Sequence, residues 1–127
     1  MKLASLVLTF SISLLAAGVA LADSTLTFNT VDGAMEIHID SRGSVDGFIQ
    51  RTTSPYRDGT LVGNVKPGGT IEGIWYQEES NHPCTDYREG TRSWGTFQIA
   101  DPWSPTPWGV WGHCNEVPNR QWNLRRR

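Results

Sequence analysis

A seven-residue phrase, Gly-x-apolar-x-Gly-x-apolar, occurs three times in the middle of the chain: Gly43 to Ile49, Gly59 to Val65 and Gly69 to Trp75. The glycines and the named apolar residues share one parity, so the period is two and the phrase reads as a β-strand with one apolar face. That face is hollowed by glycine at equivalent places. Glycine weakens a strand unless the sheet must bend or another group must come close, so the repeat predicts a strongly curved sheet.

Apolar residues spaced i, i+3, i+4, i+7 are missing after Ala22, while Gly and Pro recur along the whole remainder, so an all-β fold is expected. Alternating segments predict strands near 25–31, 34–40, 45–50, 60–65, 70–78, 93–100, 108–114 and 120–125. Asp32-Gly33, Ser41-Arg42-Gly43, Asp58-Gly59 and Pro67-Gly68-Gly69 supply turn chemistry between them. Short turns make consecutive strands antiparallel neighbours, which is a meander. We expect it to close into a small soluble barrel of about eight short strands, with a two-layer sandwich as the alternative. The polar outer face, with Asp46, Gln50, Asn64, Lys66 and Glu72, argues against a barrel that spans a membrane.

Residues 1–22 have the form of a secretory signal peptide: Lys2, an apolar stretch, then Ala20-Leu21-Ala22 before the expected cleavage point. The remainder, 23–127, is expected to be a single secreted or periplasmic domain without stable membrane insertion. Net charge is −2 before cleavage, and the basic residues are scattered except for Arg125-Arg126-Arg127, so nucleic acid is not an expected partner. Such a terminal triplet reads as a solvated tail. Cys84 and Cys114 are the two cysteines of the chain, and an oxidising compartment predicts that they form one disulfide. The bridge would bring His82 and His113 together as well. A zinc site of two His and two Cys would need both thiols free, and neither a metal nor a cofactor is expected.

Tryptophan is the over-represented residue, with six in the chain, of which Trp94, Trp103, Trp108, Trp111 and Trp122 fall in the last third. Trp75, Trp94 and Trp122 lie in strand patterns and are expected to fill space over inner glycines. Trp103 sits in the stiff loop Asp-Pro-Trp-Ser-Pro-Thr-Pro-Trp, and Trp108 and Trp111 have opposite parity, so one should face in and the other out. The candidate ligand-binding residues are Trp103, Trp108, Trp111, Trp75 and Tyr76. The curved glycine strands and aromatic interior resemble, in architecture, the soluble eight-stranded ligand barrels of the avidin and lipocalin type, which implies a small-molecule ligand by analogy.

The leading expectation is therefore an exported, non-enzymatic binding module that holds a small apolar or sugar-like ligand at an aromatic-lined barrel mouth. A second is a protein-interaction or enzyme-inhibitor domain acting through loop 101–108. A weaker third is a glycoside hydrolase using two of Glu78, Glu79, Asp86, Glu89 and Asp101, whose spacing specifies no pair. No catalytic residue is assigned.

Overall fold

The computed structural model describes residues 22–31, 33–52, 58–78 and 82–127, which contain strands and turns and no helix. Residues 1–21 of the leader, Asp32 and Glu79 lie outside them. The strands are β1 (Ser24–Thr30), β2 (Gly33–Ile39), β3 (Ser44–Arg51), β4 (Gly59–Val65), β5 (Ile71–Gln77), β6 (Ser93–Ala100), β7 (Trp108–His113), β8 (Arg120–Gln121) and β9 (Arg125–Arg126). They form one curled antiparallel sheet in the order β8-β7-β6-β5-β4-β3-β2-β1-β9. The first seven are the expected meander. Its turns carry the expected positive backbone angles at Gly43, Gly68 and Gly69.

The rows across the sheet explain its curvature. Ile37, Gly47, Leu61, Trp75, Gly95 and His113 are successive cross-strand partners, as are Ile39, Val45, Gly63, Gly73, Phe97 and Trp111. Large and absent side chains thus share the inner face. Gly63 and Gly73 stand opposite one another, and a Cβ on Gly73 would lie 2.6 Å from the Gly63 Cα. The two backbones approach where no side chain intervenes. Trp75 covers the next gap: its indole lies against Gly95, and its Nε1 donates to the Gly112 carbonyl at 3.0 Å. The interior is filled by a continuous cluster running from Leu26, Phe28 and Met35 through Leu61, Ile71, Phe97 and Ile99 to Trp122 and Leu124.

The C-terminal segment closes the fold. Strand β8 pairs with β7 and β9 pairs with β1, so residues 120–126 touch both edges of the meander. The bonds from Trp122 N to Gly109 O and from Arg126 N to Pro105 O continue the register set by Val110 and Gln121. On the other side, Arg127 N donates to Thr27 O. Between the ladders Trp122 and Leu124 point into the core and pack over Gly109. The expected eighth strand, 120–125, is thus corrected to two short ladders, because Asn123 adopts a left-handed conformation that breaks regular pairing. Arg125-Arg126-Arg127 is correspondingly a paired edge rather than a free tail.

Trp94 is a second correction. It is 1% exposed, but its row is Phe48, Thr60, Tyr76 and Trp94, which is the outer face. It is buried under a loop instead of over an inner glycine.

Candidate functional site: a cleft beside a disulfide-tied flap

The loop that covers Trp94 is the segment 82–92 between β5 and β6. At its tip, Arg88 and Thr91 exchange backbone hydrogen bonds at 2.8 and 3.0 Å, and Glu89 and Gly90 both have positive φ. Two successive left-handed residues make the tight turn of a two-residue hairpin. At its base Cys84 N donates to Arg92 O at 2.6 Å, Arg92 Nε donates to Cys84 O at 2.7 Å, and the expected disulfide joins Cys84 to Cys114 beyond β7, with Cα atoms 5.6 Å apart. The flap is held to the barrel by Trp94 Nε1 donating to Asp86 O at 2.8 Å, by Thr91 Oγ1 donating to Gln77 O at 2.7 Å, and by the Arg88 guanidinium 4.7 Å above the Trp94 ring.

Between this flap and the ends of β3 and β4 lies an open cleft of about 900 Å³. Phe48, Thr60 and Tyr76 form its floor, Glu89, Gly90 and Thr91 one wall, and Gln50, Asp58, Gln77 and Glu78 the rest of its polar rim. Phe48 is 40% exposed, which is unusual for an aromatic residue in a central strand. Because Phe48 and Tyr76 are both partners of Thr60 on one row, their backbones stand two strand spacings apart, about 9–10 Å. Asp58 is fixed by accepting the Arg51 backbone N–H at 2.8 Å.

The same end of the barrel carries an aromatic cluster on the inner face. The His113 ring lies 5.7 Å from Trp75, 5.1 Å from Trp111 and 4.8 Å from His82, so the disulfide does bring the two histidines together. Burial, then the nearby His82 and Arg120, hold the His113 pKa below its ordinary 6.5, with Glu116 opposing them. Its Nδ1 is buried and has no hydrogen-bond partner among the described residues. Both cysteines are in the disulfide, and among the described residues no group of three or more His, Cys, Asp or Glu is placed to hold a metal.

The five residues singled out from sequence do not converge. Trp75 is 6% exposed and belongs to the core, and Trp111 is half-buried on the inner face, under Arg120 at 5.4 Å. Tyr76 faces outward into the cleft. Trp103 and Trp108, 42% and 56% exposed, border the β6–β7 loop at the opposite end. Parity had separated Trp108 from Trp111 correctly. Sequence reasoning missed Phe48, Gln50, Thr60 and Gln77. The available signal was Phe48, an aromatic residue sitting out of phase between the inner-face positions Gly47 and Ile49.

Comparison of the chain with protein-family models, with curated proteins and with solved structures finds no match. No helix among the described residues is long and apolar enough to cross a membrane.

Proposed function

We propose that the protein is an exported, non-enzymatic binding module whose ligand, a sugar-like molecule, occupies the outer cleft between the flap and strands β3 to β5. The reading rests on the paired aromatic floor, Phe48 and Tyr76, set within a rim of amide, hydroxyl and carboxylate groups. Flat apolar rings suit the carbon-bound face of a pyranose, and the rim suits its hydroxyls. The packed interior favours this outer site over the barrel lumen. The module acts outside the cytoplasm, in keeping with its disulfide. Titration with oligosaccharides, followed by intrinsic fluorescence, tests the site. Tyr76→Ala and Phe48→Ala should each weaken binding about tenfold while leaving the melt near wild type. Undiminished binding in both variants refutes the cleft, and release of shortened sugars would reassign the protein to the hydrolases.

A second reading, protein docking through loop 101–108, is favoured by one observation. Arg126 of the closing segment clamps the loop, donating from Nη1 to Trp103 O at 2.6 Å and from its backbone N to Pro105 O at 2.8 Å. A stiff loop presenting exposed tryptophan loses little entropy on docking. Inhibition of a secreted hydrolase that disappears in Trp103→Ala would support it; inhibition insensitive to that change would discard it.

A further inference from the structure

The charged residues among those described around the cleft are Asp58, Glu78 and Glu89, and all three are carboxylates. They come from three separate places in the chain: just before β4, just after β5 and the tip of the flap. The two arginines of the flap are engaged elsewhere, Arg88 over Trp94 and Arg92 on the Cys84 carbonyl. Glu89 owes its place to the left-handed turn, which sets it on the wall facing the floor residues Phe48 and Tyr76. An aromatic floor and carboxylates lining one cleft suit a cation: aromatic faces attract positive charge and carboxylates accept its N–H groups.

Resting on the sugar reading of this cleft, we infer that it selects amine-bearing sugars, oligosaccharides with protonated amino groups, over neutral ones. The amino groups sit at the Glu78 and Glu89 carboxylates while the rings lie on Phe48 and Tyr76. N-acetylation removes the charge and should therefore remove the preference.

The test compares glucosamine oligomers with N-acetylglucosamine oligomers of equal length, at a pH where the free amines are protonated. The glucosamine oligomer should bind about tenfold more tightly, and added salt should erase most of that ratio. The double variant Glu78→Gln/Glu89→Gln should lose the preference, the two oligomers then binding equally well, with circular dichroism reporting an unchanged fold. Equal binding of both oligomers overturns the inference but leaves the sugar reading standing. Binding of neither overturns both. Equally tight binding of a simple polyamine, unaffected by Tyr76→Ala, overturns it too, because charge alone would then account for the site.

Discussion

Replacing Gly95 with alanine should strike the barrel where its two kinds of inner-face position meet. A Cβ at that site would overlap the Gly112 carbonyl oxygen and lie 2.5 Å from Trp75 Nε1 and 2.6 Å from Cε2. The carbonyl belongs to β7 and can retreat only by disturbing its ladder, and the indole must move as well. Moving it breaks the 3.0 Å bond between Trp75 Nε1 and Gly112 O, which is buried. Overpacking a core costs about 1–3 kcal/mol, and orphaning a buried polar group about 1–3 kcal/mol. Against this, alanine in a strand interior gains about 0.5–1 kcal/mol over glycine. The net loss should be about 1–5.5 kcal/mol, a large part of the 5–15 kcal/mol available to a small domain. At about 4–8 °C per kcal/mol, the midpoint of thermal unfolding should fall by at least about 4 °C. Gly59→Ala is the matched control: it shares the inner-face parity, but its Cβ would meet the Tyr76 carbonyl at 3.4 Å and the Gln77 side chain at 3.6 Å, both ordinary contacts. That variant should be neutral or gain up to about 1 kcal/mol. Urea melts of both variants, read by midpoint at constant slope, decide the matter. Indistinguishable midpoints for the two would refute the claim that inner glycines make room for specific neighbours.

Leu124→Ala, which uncovers Gly109 and hollows the closing segment, should cost about 2–5 kcal/mol, and an effect below about 1 kcal/mol would mean that closure does not depend on this side chain. Removing the disulfide with Cys84→Ser/Cys114→Ser frees a loop of 30 residues, for which chain entropy gives about 3–4 kcal/mol. Trp94 should then become accessible to an aqueous fluorescence quencher, and continued protection would show that the flap holds without its tether. His113 contributes a pH dependence whose sign follows from its lowered pKa. Below 6.5 the unfolded chain takes up a proton that the folded protein resists, so stability is full above 6.5 and declines as pH falls through the folded-state value. His113→Asn should flatten that part of the profile, and a decline of the same size in the variant would assign it to other groups.

Much of the fold was legible because strand period and turn chemistry are local properties. The phrase ending in Trp75 fixed both the inner parity of β5 and the hollow that Trp75 spans. Closure was harder to read. Residues 120–125 look like one alternating strand, and the break at Asn123 depends on two different neighbours, β7 and β1, brought to either side by the sheet's curvature. Trp94 shows the same limit. Its apolar character says buried, but not that burial would come from a flap on the outer face. The cleft was barely visible, since Phe48, Thr60 and Tyr76 are separated in sequence and become a row only through strand register.

The segment that seals this barrel also has an implication for the order of events in making it. Phe28 is laid down early and Arg126 very late, yet they are partners across the seam. Until those late residues emerge, the seven earlier strands can pair with one another but keep two raw margins, and long-range pairing of this kind is slow. Residues 120–126, paired to β7 on one side and to β1 on the other, are thus the step that locks the rest.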